Sequence, residues 1–172
     1  MANTYTQIHI HCVFAVKYRK AMIDSAFKEE LYEYITGIVQ QRGHKMLAIG
    51  GTSNHIHIFF GLRVNESLSD LMQAVKRNSS LWINQNHKTQ SKFEWQKGFG
   101  AFSYSKSHVN AVVNYIKRQE EHHRKKAFSE EYIRILKDFD VKYDERSYLF
   151  LFKILFYKIF FVQIQIVFSF QI

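Results

Sequence analysis

The apolar residues of this chain change their period in a fixed order, and that order admits few folds. Ile8, Ile10 and Cys12 alternate with Gln7, His9 and His11 over residues 5–16, the two-residue period of a strand. From Asp24, placed as an N-cap, Phe27, Leu31, Ile35 and Ile38 recur at helical spacing until Gly43, which stands where a C-terminal cap belongs. Residues 44–49 and 55–60 return to strand character, and Gly50, Gly51, Thr52, Ser53 and Asn54 between them read as the tight connection of a hairpin. Ser67 with Asp70 resembles a capping box opening a second helix that carries Leu68, Leu71, Met72, Val75 and Trp82. A polar loop over 84–92 leads to 93–104, which ends as a further strand. Ser107 is then placed to cap a third helix bearing Val109, Val112, Val113 and Ile116. The order strand, helix, strand, strand, helix, strand, helix predicts an α+β fold, an antiparallel sheet with helices packed on one face.

At 172 residues the chain suits one ordinary domain with a full core. Lysine and arginine number 24 against 15 acids, a formal charge of +9 that favours a polyanionic partner, nucleic acid before an acidic membrane surface. Cys12 stands alone, which excludes an internal disulfide and a multi-cysteine zinc site and fits a reducing, cytoplasmic setting. The opening residues lack the basic and long apolar regions of a signal peptide. Residues 148–172 differ in kind from the body at 1–147: they hold seven of the 16 phenylalanines, no acid and no glycine. Lys153, Lys158 and three glutamines interrupt the run, and Val162, Ile164, Ile166, Phe168 and Phe170 alternate, so a strand-like extension is expected here rather than a membrane span.

Among residues able to do chemistry, the sharpest local signal is Asn54-His55-Ile56-His57-Ile58-Phe59-Phe60. Side chains alternate across a strand, so His55 and His57 share one face, about 7 Å apart, and can converge on a metal ion. Taken alone, such a pair more often marks a solvated face. A third histidine at position 59 would suggest a histidine-triad nucleotide hydrolase, and Phe59 argues against it. His9 and His11 form a second alternating pair whose safer reading is structural or superficial. On the third helix, Tyr115 and Gln119 are vertical neighbours flanking the apolar stripe. The mixed run Glu120-Glu121-His122-His123-Arg124-Lys125-Lys126 reads as an exposed helix end.

Taken together, His55-Ile56-His57, the segment from Phe93 to Ser103, Tyr115-x-x-x-Gln119-Glu120-Glu121-His122-His123 and Tyr143-Asp144-Glu145-Arg146 resemble the single-tyrosine HUH transposases of small insertion sequences, including the REP-associated tyrosine transposases. The likeness runs from about Tyr5 to Arg146. It implies an RRM-like (ferredoxin-like) sheet with helices on one side, a homodimer and no need for ATP. In keeping with the last point, the chain has no G-x-x-x-x-G-K phosphate loop. Carried over residue by residue, the resemblance makes His55 and His57 the metal-binding pair, Tyr115 the nucleophile and Gln119 a further metal ligand. Ser147 and the apolar tail to Ile172 depart from the family pattern, in which chains end shortly after the Asp-Glu-Arg segment.

The implied chemistry is cleavage and rejoining of single-stranded DNA at hairpin-flanked sites through a 5′-phosphotyrosine. A phenol with a pKa near ~10 is protonated at neutral pH, so a divalent cation polarising the phosphate has to supply much of the acceleration. Two imidazoles and an amide oxygen suit Mg²⁺ or Mn²⁺. Lys17, Arg19, Lys20, Arg63, Lys76 and Arg77 are candidates to line a groove for DNA phosphates, and Tyr18, Trp82 or Trp95 to stack on a base. The resemblance further suggests an active site shared between subunits, with Tyr115 of one chain meeting His55 and His57 of the other. In a different class stands a domesticated protein that holds hairpin DNA or RNA without catalysis.

Overall fold

The structure, a computed structural model, describes residues 5–123 and 127–143. By its contacts the chain divides into two compact units, 1–131 and 132–172. The sequence-based boundary at 147/148, the Tyr143-Asp144-Glu145-Arg146 segment beyond its tyrosine and the apolar tail lie outside the described residues.

The first unit is built on β1 (Ile8–Ala15), α1 (Ser25–Gln41), β2 (Lys45–Thr52), β3 (His55–Leu62), α2 (Leu68–Gln85) and β4 (Gly100–Tyr104). The four strands form one antiparallel sheet in the order β2-β3-β1-β4, so the βαββαβ chain closes in the ferredoxin-like α+β arrangement. Asp24 accepts from the Ala26 amide at 2.8 Å and Ser67 from the Asp70 amide at 3.1 Å, so both helices start at the predicted caps. Gly43 follows α1 at φ 86°, a conformation glycine adopts without steric cost.

Strand alternation splits the side chains of β1 and β3 between two faces, and both faces are covered. Ile10, Cys12, Phe14, Ile56, Ile58 and Phe60 face α1 and α2, where Phe27, Leu31, Ile35, Leu71, Met72 and Val75 complete the main core. The other face carries His11, Val13, His55, His57 and Phe59, brought side by side by the pairing of Val13 with His57 and His11 with Phe59. Here α3 (Val109–Lys117) packs, burying Val112 and Ile116 against Ala48 and Phe59. The third helix therefore covers the face opposite α1 and α2, where the sequence placed all helices together.

Two further local expectations are corrected. Gly50 and Gly51 belong to β2, not to the turn, which is only Ser53 and Asn54. The glycine at 50 is required because the Ile116 carbonyl lies where its Cβ would be, 2.4 Å away, so α3 can seat on β2 only if that side chain is missing. Ser107 does not cap α3: it lies in a 3-10 turn, Lys106–His108, and its hydroxyl bonds Ser105 and His108. Past Lys117 the helix breaks at Arg118 (φ −100°, ψ 18°) and resumes as α4 (Gln119–His123), and α5 (Phe128–Asp138) follows. No helix among the described residues is long and apolar enough to cross a membrane.

Candidate functional site

His55 and His57 are both fully buried at the start of β3. The Nδ1 atom of His55 lies 2.7 Å from Asn54 Oδ1 and 3.0 Å from Thr52 Oγ. An Nδ1–H donated to Asn54 fixes the tautomer and leaves the Nε2 lone pair facing inward. For His57, Nδ1 lies 2.9 Å from His11 Nε2, with the two rings stacked at 5.1 Å. His11, which sequence reasoning left as structural or superficial, thus orients one of the two key imidazoles. Its signal was the shared alternation of β1 and β3, legible only once their register is known.

Tyr115 on α3 packs edge-on to the His57 ring at 5.9 Å, and its hydroxyl donates to Glu131 Oε1. Gln119, buried at the start of α4, donates from Nε2 to the same oxygen at 2.9 Å. His123 Nε2 lies 2.7 Å from the other carboxylate oxygen, Oε2, which is also 3.8 Å from His55 Nε2 and 3.7 Å from His57 Nε2. Phe128 stacks on the His55 ring at 4.1 Å. Sequence reasoning missed both His123 and Glu131. His123 continues the four-residue ladder Tyr115, Gln119, His123, and Glu131 is an acid on the apolar stripe of α5; these were the signals available.

Electrostatics follow from burial. It pushes the His55 imidazole down to about 2, helped by the neighbouring His57 and His123, and lowers His57 and His11 as well, so all three are neutral near pH 7. For Glu131 burial alone would raise the carboxyl, but hydrogen bonds with His123 and Tyr115 and the nearby His57 outweigh it and hold the group ionised. Burial, and then the Glu131 charge, raise the Tyr115 hydroxyl above its ordinary range.

One carboxylate oxygen and three imidazole nitrogens, from His55, His57, His123 and Glu131, lie within 4.8 Å of one another. Four buried atoms here have no hydrogen-bond partner: Nδ1 of His11, Nε2 of His55, Nε2 of His57 and Oε1 of Gln119. With Nδ1–H of His55 donated to Asn54, its Nε2 carries a lone pair, and an unpaired buried polar atom is costly. Metal bonds of ~2.1 Å at tetrahedral angles place ligand atoms ~3.4 Å apart. The observed 3.7 and 3.8 Å spacings are close to that, so the residues fit a divalent cation.

Tyr115 reaches the histidines of its own chain. Within the single chain described, the Ile116 carbonyl closes on Gly50 and seats the tyrosine helix on its own sheet.

Lys17 reaches Glu94, which lines the same cleft as Lys76 and Arg77, while Arg63 lies apart. Lys17, Arg19 and Lys20 follow β1 at the His55 end of the sheet, and Arg19 lies over the Phe128 ring at 5.4 Å. Lys17 is paired with Glu94 at 2.7 Å. Arg63 follows the far end of β3, about 26 Å from His55 at ~3.3 Å per residue. Lys76 and Arg77 lie on α2, behind the opposite face, beside a cleft of about 700 Å³ lined also by Trp95, Gln96 and Lys97. Lys76 donates to the Gln96 and Gly98 carbonyls, each at 2.6 Å, and so braces that loop. Of the candidate stacking residues, Trp95 is buried and donates to Ser79, Trp82 stacks on Tyr34, and Tyr18 is exposed.

Fold and site together define an α+β protein of the ferredoxin-like class with a tyrosine beside a candidate cation centre. The comparisons narrow this class. The family model for IS200-like transposases matches residues 4–119, and the chain belongs to that family. Among curated proteins none matches. Two solved structures share the fold. One is a Deinococcus radiodurans R1 protein assigned as a transposase, 18% identical, TM-score 0.53, covering 69% of this chain and 95% of that one. The other is a REP-associated tyrosine transposase bound to a REP hairpin, 14% identical, TM-score 0.55, with coverage of 72% and 73%.

Proposed function

We propose that this protein cleaves and rejoins single-stranded DNA at hairpin-flanked sites, with Tyr115 as nucleophile. The observation that carries the reading is that Tyr115, its hydroxyl on Glu131, packs on the buried pair His55 and His57, whose Nε2 atoms have no hydrogen-bond partner. Support also comes from family membership and from the hairpin bound by the similar REP-associated enzyme.

In this reading His55 and His57 hold a divalent cation, Mg²⁺ or Mn²⁺, with Gln119 Oε1 in reach as a further ligand. The cation, when bound, polarises the scissile phosphate and offsets charge that develops on it. Tyr115 attacks phosphorus, its O–H bond breaks as the O–P bond forms, and the bond to the 3′ oxygen breaks to release a free 3′-OH. The product is a 5′-phosphotyrosine. Because one ester replaces another, attack by a 3′-OH reverses the step and rejoins the strand without a nucleotide cofactor. Arg19 and Lys20, at the same end of the sheet, supply charge for the flanking phosphates.

Incubating the protein with a labelled hairpin oligonucleotide and Mn²⁺, followed by denaturing electrophoresis, tests the reading. Strand cleavage with a slow-migrating covalent adduct, both lost on EDTA treatment, is expected. Tight hairpin binding without any cleavage would instead support the domesticated binding protein. Cleavage undiminished in thorough EDTA would overturn the role given to the metal.

A further inference from the structure

Glu131 is nearly fully buried, and its carboxylate touches both halves of the site. Burying an ionised carboxylate costs several kcal/mol unless an opposite charge or good hydrogen bonds compensate. Among the described residues its partners are Tyr115, Gln119 and the surrounding histidines, and no lysine or arginine pairs with it. The carboxylate is therefore well hydrogen-bonded yet has no fixed cation beside it, and a metal ion fits that place.

Its two oxygens face different ways. Oε1 takes the Tyr115 hydroxyl and the Gln119 amide, whereas Oε2 turns to Nε2 of His123, His55 and His57 at 2.7, 3.8 and 3.7 Å. We propose that Glu131 bridges the two halves: Oε2 completes a four-ligand cation site with His55, His57 and His123, while Oε1 aims the Tyr115 hydroxyl. Three imidazoles and one carboxylate form a nitrogen-rich set that selects Mn²⁺, Co²⁺ or Zn²⁺ over Mg²⁺. The Gln119 amide N–H fixes the oxygen that faces the tyrosine, while its Oε1 stays in reach of the cation. This inference rests on the metal-and-tyrosine reading above and adds the second pair of ligands and the link to the nucleophile.

Calorimetric titration with Mn²⁺ alone, without DNA, tests the ligand half in the full chain. Glu131→Gln and His123→Ala should each weaken Mn²⁺ by at least the roughly 10–100-fold typical of losing an outer-sphere partner, while Gly37→Ala, on α1 away from the site, stays within about twofold of the parent. Visible absorption of the Co²⁺-loaded protein should change on either ligand substitution. His123 is less buried than Glu131, so His123→Ala serves should Glu131→Gln fold poorly. Parent-like Mn²⁺ affinity in both variants would overturn the ligand assignment. For the aiming half, Glu131→Gln should still cut a hairpin oligonucleotide more slowly than His123→Ala when Mn²⁺ saturates both, and equal rates would overturn it. Failure of the parent protein to bind Mn²⁺ at all would instead remove the cation site itself, together with the reading on which this inference rests.

Discussion

Replacing Gly50 by alanine presses on the contact that seats the tyrosine helix. A Cβ at this position lies 2.4 Å from the Ile116 carbonyl oxygen and 3.1 Å from its Cγ2, and ordinary contact begins near 3.4 Å. The obstacle is backbone, so no side-chain rotation relieves it, and α3 must retreat from β2 by about 1 Å. Ile116 adjoins Tyr115, so the hydroxyl moves with it. Overpacking of this kind costs ~1–3 kcal/mol, and a ~1 Å misplacement of a reacting group costs about 10²-fold in rate. Single-turnover cleavage of a labelled hairpin oligonucleotide with Mn²⁺, measured beside urea unfolding, should show both losses. Gly37 on α1 is the control: nothing lies within 4 Å of its missing Cβ, so Gly37→Ala should be neutral or stabilise by ~0.5–1 kcal/mol. Parent-like rate and stability in Gly50→Ala would refute the packing argument and the seating of Tyr115 that follows from it.

Three other outcomes are expected. Tyr115→Phe should keep hairpin affinity within about threefold and abolish the covalent adduct, since the ring still packs on His57 while the attacking oxygen is gone; a parent-like yield of adduct would move the nucleophile elsewhere. In EDTA, stability should fall as pH drops from 6.5 to 5. Unfolded histidine takes up a proton near ~6.5 whereas native His55 stays neutral down to about 2, so the unfolded state binds the extra proton, at up to ~1.4 kcal/mol per pH unit. His57 and His11, lowered likewise, add to that slope, as does Glu131 to a small extent near pH 5, where only the unfolded carboxyl begins to take up a proton, and a flat urea midpoint across the window would contradict the buried neutral cluster. Lys76→Met should lose ~1.5–3 kcal/mol with its two carbonyl bonds, while Arg77→Ala should stay within about 0.5 kcal/mol in stability and weaken hairpin binding in a salt-dependent way; the reverse ordering in urea unfolding and filter binding would show that Lys76 serves DNA and Arg77 the fold.

Local pattern carried much of this structure. Alternation in Ile8–Cys12 and His55–Phe60, with the Asp24 and Ser67 caps, was enough to order the ferredoxin-like elements, because each signal lies within a few residues of what it specifies. The histidine pair and Tyr115 stood out only through the resemblance, which joins motifs far apart in the chain. What stayed hidden depends on contacts distant in sequence. His11 acts through a strand register that pairs it with Phe59, and Gly50 looked like a turn residue because its need comes from a helix 66 positions later. Glu131, which follows another glutamate, reads as surface charge until α5 brings it under Tyr115. Lys17 and Lys76 count toward net charge, yet one is paired with Glu94 and the other braces two carbonyls, and Arg63 lies at the far end of the sheet.

Peptide mapping of the covalent complex tests the central claim most directly. The protein is reacted with a hairpin oligonucleotide in Mn²⁺, digested with nuclease and trypsin, and the nucleotide-bearing peptide is sequenced by mass spectrometry. The account predicts a 5′-linked nucleotide on Tyr115, in the peptide that ends at Lys117, and a free 3′-OH on the released strand. A nucleotide on Tyr104 or Tyr132, a 3′ linkage, or cleavage that leaves no covalent residue would contradict it.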